Sequence, residues 1–480
     1  MSSSYIWTSS WFFSILATFF LFPSCIQTKA VFAHFMMSNT ANYTSETWKT
    51  DILAAQSAHI DAFALNSGFG MAHTLGSISD VFAAAAETDF KLFFSFDYAG
   101  SNGTWPKDQV VQLLNQYTTH PAYFQHGGKP LVSTFEGFQA AGDWAGIKHD
   151  VGEIAFIPDW TSVGPRRASR IAAIDGLMCW DAWPDGITPM DTTEDEEYMS
   201  ILGDRLYIMP VSPWFYTKLE QFNKNWVWQG GGLWYTRWQQ VLELDPNFVE
   251  ILTWNDYGES HYIGPLHDEA VGILAAAGAP FNYVDGMPHD GWRVLLPYLI
   301  QQYKAGSEKE RKEVNIEEEL LTAWYRLSPA KACSDGNTTG NTEDQGQTIL
   351  DPGTVLEDRV FYSALLKESA DVAVSIGGEN WTAEWTNTPD NNGGRGIYYG
   401  SASVEDREGE VVVTLSRREE FLAQMAGKSI EIQKECPRNQ TNWNAWVGNA
   451  TAVESGGVRS ASWSIWMMMI MVITVLTGLF

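Results

Sequence analysis

Between residues 30 and 260 the chain repeats one design eight times: a short apolar, β-rich run ending in polar or aromatic residues, then a stretch with helical spacing. The runs are VFAHFMM (31–37), IDAFALNSG (60–68), KLFFSFDY (91–98), PLVSTFEG (130–137), IAFIPDW (154–160), GLMCWDAW (176–183), RLYIMPVSPW (205–214) and VEILTWNDYGES (249–260). Continuous apolar runs between helical stretches, such as 47–58, 80–88, 107–117 and 233–244, are what parallel strands look like when both faces are buried. Eight in succession predict a closed (β/α)8 barrel, which takes about 250 residues or slightly more. A catalytic unit is therefore expected over residues 31–307.

Such a barrel collects the C-terminal ends of its strands on one face, and active sites are built there. The residues expected at that face are His34, Asn66, Asp97, Glu136, Asp159, Trp160, Asp181, Trp183, Trp214, Trp254, Asn255, Asp256, Tyr257, Glu259 and His261. They are acidic and aromatic, with almost no cations. Tryptophan faces stack on sugar rings, while Asp, Asn and His bond hydroxyls. Glycoside hydrolysis needs one carboxylic acid to protonate the leaving oxygen and one carboxylate to act at the anomeric carbon. Asp256 and Glu259, three positions apart in TWNDYGESHY (253–262), supply such a pair, with Gly258 expected to let the chain turn between them. Two carboxylates in one cleft raise one of their pKa values, and Asp159 and Asp181 add to the effect. The plainer roles are real alternatives. A lone Asp at a strand end more often caps a helix, and His34 in an apolar run equally suits a core histidine.

Charge and termini set the compartment. Lys and Arg total 30 against 58 Asp and Glu, a net charge of -28 that argues against nucleic acid, anionic lipid and polyanionic substrates. Residues 11–22 (WFFSILATFFLF) have the length of a signal-peptide core, with cleavage expected after Ala30. At the other end, small and polar residues 454–462 precede an apolar tail, the order of a glycosylphosphatidylinositol anchor signal, with a C-terminal membrane helix as the alternative. The six Asn-x-Ser/Thr sequons, at Asn42, Asn102, Asn337, Asn380, Asn439 and Asn449, agree with a secretory route. A disulfide between Cys333 and Cys436 and a buried free Cys179 are expected, and no zinc-type Cys/His spacing occurs. Neither a metal nor another cofactor is implied.

Beyond the eighth run the pattern changes. DRVFYSALL, ADVAVSIGG, GIYYGSASV and GEVVVTLS alternate or run short between Gly, Asn and Asp clusters, which is antiparallel signal. Residues 308–450 are read as a β-sandwich-like accessory domain, in which Trp381, Trp385, Trp443 and Trp446 are assigned to core packing ahead of a binding platform. The stripe WVWQGGGLWYTRW (226–238) is assigned to a loop rimming the cleft, since Gly230–Gly232 interrupt any helix.

The segments 31–68, FFSFDYAG, FIPDWTS, CWDAWP, MPVSPWFYT and TWNDYGESHYIGP, taken in order, resemble glycoside hydrolase family seventy-one, the fungal endo-α-1,3-glucanases or mutanases. The resemblance implies hydrolysis of α-1,3-glucan with inversion, on a (β/α)8 barrel with a β-rich C-terminal domain and no metal. It maps the catalytic pair onto Asp256 and Glu259 without saying which is the acid. Inversion implies carboxyl groups roughly 6.5 to 9.5 Å apart. Two competing readings remain: a catalytically silent wall-glucan-binding protein, and a glycosidase of different linkage specificity.

Overall fold

The computed structural model of the chain describes residues 29–453 apart from 72, 101–102, 185, 269, 333–349, 390–391 and 434–440. Each of the eight apolar runs contains one strand: β1 (Ala30–Met36), β2 (Ala62–Gly68), β3 (Lys91–Asp97), β4 (Lys129–Phe135), β5 (Ala155–Phe156), β6 (Gly176–Met178), β7 (Leu206–Val211) and β8 (Phe248–Ile251). They form one curled parallel sheet. β1 pairs with β2 on one side and β8 on the other, β2 with β3, β3 with β4, β4 with β5, β6 with β7, and β7 with β8. Asp159 bridges both Phe135 and Met178, and the Met178 N–H donates to the Pro158 carbonyl at 2.9 Å.

Burial of both faces explains the continuous apolar runs. One face of β1 carries Phe35, which packs on Trp48 of the helix Ser45–Ser57 at 5.4 Å between ring centroids. The other carries His34, whose Nδ1 lies 2.7 Å from Oε1 of buried Glu250 on β8. The helix itself starts on a reciprocal cap, in which Thr44 and Thr47 bond each other's backbone N–H. Outer helices are held partly by charge: Arg237 in Leu233–Leu244 reaches Asp195 in Thr193–Leu202 with both terminal nitrogens, at 2.8 and 3.1 Å, all of it buried.

At the start of β1, Ala30 already pairs with Phe248, and Lys29 forms an ion pair with Asp245 at 2.5 Å. Cleavage directly after Ala30 would remove both contacts. The rest of the signal-peptide segment and the C-terminal tail lie outside the described residues, as do Cys333 and Cys436; Cys179 is free and buried.

From Leu320 onward the chain forms two antiparallel sheets. One has five strands, ordered Trp385–Asn387, Gly396–Ser403, Arg359–Leu366, Leu320–Arg326 and Ala445–Thr451; the other has four, ordered Glu379–Thr382, Asp371–Ile376, Gly409–Arg417 and Glu420–Ile432. Side chains of both share one core, including Tyr325, Tyr362, Val374, Val413 and Met425. The tryptophans divide. Trp443 is buried, Trp446 packs on Tyr325 and Trp385 on Tyr362, whereas Trp381 is 44% exposed beneath the Arg407 guanidinium.

This part is bonded to the first through indoles and one imidazole. Trp324 Nε1 donates to the Gly231 carbonyl and Trp214 Nε1 to the Trp443 carbonyl, each at 2.9 Å. His289 stacks on Tyr262 and lies between the carbonyls of Tyr262 and Ala445. The stripe 226–238 is not a rim loop: Trp226, Trp234 and Trp238 are buried, because the glycines form a turn joining a short strand to the helix that begins at Leu233.

Candidate active site

The chain leaving β8 folds back on itself. The Thr253 N–H donates to the His261 carbonyl at 2.9 Å and the Ile263 N–H to the Thr253 carbonyl at 3.0 Å, closing the loop that carries both acids. Asn255 pins this loop to the end of β1, accepting from the Met36 N–H at 2.7 Å and donating to the Met36 carbonyl at 3.2 Å. Within it Tyr257–Glu259 makes one 3-10 turn, capped by Asp256, whose Oδ1 accepts the Glu259 N–H at 3.2 Å. The left-handed residue of the turn is Ser260, at φ 59°, rather than Gly258. Gly258 instead permits close packing, since a Cβ there would stand 3.1 Å from Leu219 Cδ1.

Leu219 belongs to a hairpin inserted after β7, made of Tyr216–Leu219 and Lys224–Val227. It grips the acid loop twice. The Thr217 hydroxyl donates to the Gly258 carbonyl at 2.9 Å, a carbonyl that also receives the Tyr283 hydroxyl at 2.6 Å. Lys224 Nζ forms an ion pair with Glu259 Oε1. The other Glu259 oxygen lies 3.0 Å from His261 Nε2, which is 3.9 Å from Asp256 Oδ2. One polar side-chain atom from each of Asp256, Glu259 and His261 lies within 4.8 Å of the other two. Asp256 keeps 19% of its side chain exposed and Glu259 13%, so both reach solvent from an otherwise packed wall. Behind them the His261 ring stacks on Phe215, and Phe215 on Trp226.

This environment separates the two acids. Burial, and then the Glu259 charge, raise Asp256 above the usual carboxylate range. Burial would raise Glu259 too, but the Lys224 charge and the His261 contact outweigh it and hold the carboxyl at about 2. The arrangement thus offers one carboxyl biased toward its acid form beside one biased toward its anion.

A family model described as glycosyl hydrolase family 71 matches residues 27–460. The chain belongs to glycosyl hydrolase family 71. It is 35% identical over 370 residues to a glucan endo-1,3-alpha-glucosidase of Schizosaccharomyces pombe, covering 74% of this chain and 82% of that protein. It is also 35% identical over 360 residues to a mutanase of Penicillium rubens, covering 73% and 75%. Among solved structures, a GH99 endo-alpha-mannosidase from Bacteroides thetaiotaomicron aligns with 58% of this chain and 98% of its own, at 15% identity and a TM-score of 0.42.

The other expected site residues of this family 71 chain divide into those that keep some solvent exposure and those buried in the frame. Asp97 is half-buried at the end of β3. Its carboxylate accepts the N–H groups of Ala99 and Gly100 at 2.9 and 2.7 Å, and burial raises it despite the nearby His34 and Lys224. Trp183 is half-buried, its ring 5.1 Å from His261, and Asp181 is exposed. Glu136, at φ 53°, accepts from the Ser162 N–H and hydroxyl. Asn66 is buried on β2 in register with Met36. His34 is buried against Glu250 and touches Trp180 edge-on at 4.8 Å.

Besides His34, Asn66 and His261, which are also buried, six further residues expected to touch sugar are packed away, because their neighbours already use their polar atoms or their faces. Trp160 is enclosed by Phe138 and Phe156. Trp214 is spent on the contact to Trp443, and Trp254 lies between Phe63 and the Arg293 guanidinium. Tyr257 bonds the Pro265 carbonyl, and Asn255 is occupied by Met36. Asp159 is fully buried, accepts the Thr161 N–H and hydroxyl, and is pushed well up by burial. Three residues escaped the sequence: Lys224, Glu250 and Trp180. Of these only Trp180 carried a signal, as the first indole of CWDAW, directly after a buried strand.

Proposed function

We propose that this chain hydrolyses the α-1,3-glucosidic linkages of α-1,3-glucan, with Asp256 as general acid and Glu259 as the carboxylate that activates water. One observation carries the chemistry: the two carboxyls after β8 lie side by side with the Lys224 ammonium in contact with Glu259, which biases Glu259 toward its anion and leaves Asp256 biased toward its acid form. The substrate is inferred from the relatives, one a glucan endo-1,3-alpha-glucosidase and one a mutanase. Asp256 gives its proton to the glucosidic oxygen as that bond breaks, and Glu259 takes a proton from the water attacking the anomeric carbon. Trp183, beside His261, is the half-open aromatic face suited to a sugar ring.

We take the frame to be a closed (β/α)8 barrel followed by a β-sandwich-like domain, a reading supported by the Asp159 bridges and by the core common to the two C-terminal sheets. The stereochemistry proposed is inversion. Inversion calls for carboxyl groups roughly 6.5 to 9.5 Å apart, and one oxygen of each acid lies within 4.8 Å of the other. Asp256, with one long bond from the Glu259 N–H, is the member freer to move and make room for a water as the sugar enters. We also propose that the enzyme works outside the cell on a C-terminal lipid anchor, from the apolar segments at residues 11–22 and 463–480.

The test is reducing-sugar release from insoluble α-1,3-glucan by wild type, Asp256→Asn and Glu259→Gln, beside a panel of other α- and β-glucans. We expect release on α-1,3-glucan and a loss on the order of 10²- to 10⁴-fold in each variant. Equal release by all three proteins would remove the pair from the mechanism. NMR of the first-formed anomer decides the stereochemistry, and binding without release would favour the silent glucan-binding reading.

A further inference from the structure

We infer that Lys224 is a positioning residue of the reaction, fixing Glu259 as the anionic partner and leaving the transferable proton to Asp256. The inference rests on the hydrolase reading above and deepens it. Lys224 comes from a different element than the acids, the second strand of the hairpin after β7, and its ammonium meets the Glu259 carboxylate directly. The Lys224 Nζ stands over the Trp226 ring, 6.0 Å from its centroid, and the side chain is 30% exposed. The hairpin is fixed to the same loop by the Thr217 hydroxyl on the Gly258 carbonyl at 2.9 Å. The ammonium is thus placed by backbone as well as by charge.

The surrounding charges make the placement selective. Facing Glu259 are Lys224 from the hairpin, and His261 and Asp256 from its own loop; Asp97 at the end of β3 faces Lys224, and His34 on β1 faces Asp97. The two carboxylates of the pair would otherwise compete for one proton. Lys224 touches Glu259, whereas Asp256 feels it only through space, so the cation settles the competition in one direction. The Lys224 ion pair and the His261 contact each hold one oxygen of Glu259, whereas the Asp256 carboxyl has one long bond, from the Glu259 N–H, and stays free to approach a leaving oxygen.

The experiment uses the full chain as wild type, Lys224→Met, Lys224→Gln and Lys224→Arg. It follows kcat/KM against pH on an α-1,3-linked gluco-oligosaccharide and, separately, the Glu259 carboxyl titration by ¹³C NMR, assigned by difference from Glu259→Gln. Losing an opposite charge in contact shifts a carboxylate by about 1 to 3 pH units. In Lys224→Met and Lys224→Gln we therefore expect the acidic limb of the profile to rise by about one unit or more, with Lys224→Arg restoring it. A uniform fall in activity with the acidic limb unmoved would overturn the inference and leave Lys224 a structural residue. Should the apolar variant not fold, the wild-type titration decides alone: Glu259 still protonated near its ordinary 4.5 is the overturning result. A wild type that releases no sugar but shows Glu259 ionised far below that value sinks the hydrolase reading while retaining the ion pair, so the two failures are distinguishable.

Discussion

Glu259→Gln should change stability in a pH-dependent way whose sign follows from the site. The Glu259 carboxyl falls from 4.5 to about 2 on folding, so its ionised form is stabilised in the native state. A depressed carboxylate contributes stability above its unfolded pKa and loses it as pH falls toward the folded one. With 13% of the side chain exposed, solvent screening is modest. Linkage over that shift gives an upper value of about 3 kcal/mol at pH 6 and about 1 kcal/mol at pH 3. Asp256 works the other way: burial and the Glu259 charge raise it, which costs stability above its ordinary 3.8, and removing that charge returns part of the cost. We therefore expect Glu259→Gln to destabilise by about 2 kcal/mol at pH 6 and by about 1 kcal/mol at pH 3. Urea unfolding of both proteins at the two pH values measures this. A difference that is the same at both, or that grows on acidification, would refute the claim that Glu259 is held ionised by its surroundings.

Arg237→Met leaves buried Asp195 without its two-pronged partner, and should cost about 3 to 5 kcal/mol in urea unfolding. Trp183→Ala and Trp214→Ala separate a cleft face from a frame residue. The first should lower kcat/KM on an α-1,3-linked oligosaccharide by about tenfold, equivalent to roughly 1.4 kcal/mol, with a smaller loss in unfolding than the second because Trp183 is only half-buried. The second, buried against Trp292 and bonded to Trp443, should cost about 3 to 5 kcal/mol of stability. Gly231→Ala puts a Cβ 2.1 Å from the Phe361 ring where the C-terminal sheets meet the rest of the chain. It should destabilise by about 1 to 3 kcal/mol, seen as a lower thermal midpoint.

What the sequence revealed follows from how locally each feature is encoded. The eight strands were legible because burial on both faces forces a continuous apolar run, visible without knowing any partner. The closeness of Asp256 and Glu259 was legible because both lie in one short loop after the last run. Lys224 was not, since its meaning depends on a hairpin whose pairing of Trp226 with Thr217 and of Asn225 with Lys218 decides which side chains face the acids. Nothing within FNKNW states that register. Glu250 was hidden for a related reason: inside VEILT it reads as an interruption, and only the neighbouring strand shows that His34 is its partner. The tryptophans failed differently. An indole buries the same apolar area against protein as against sugar, so a strand-end Trp is ambiguous until its N–H is traced. Trp214 and Trp183 make the point together, for Trp183 Nε1 donates to the Trp214 carbonyl while Trp214 Nε1 donates to that of Trp443. The second of these carbonyls is 229 residues away in the chain, and it is that distant acceptor, supplied by the C-terminal sheets, that turns one Trp into frame and leaves the other at the opening.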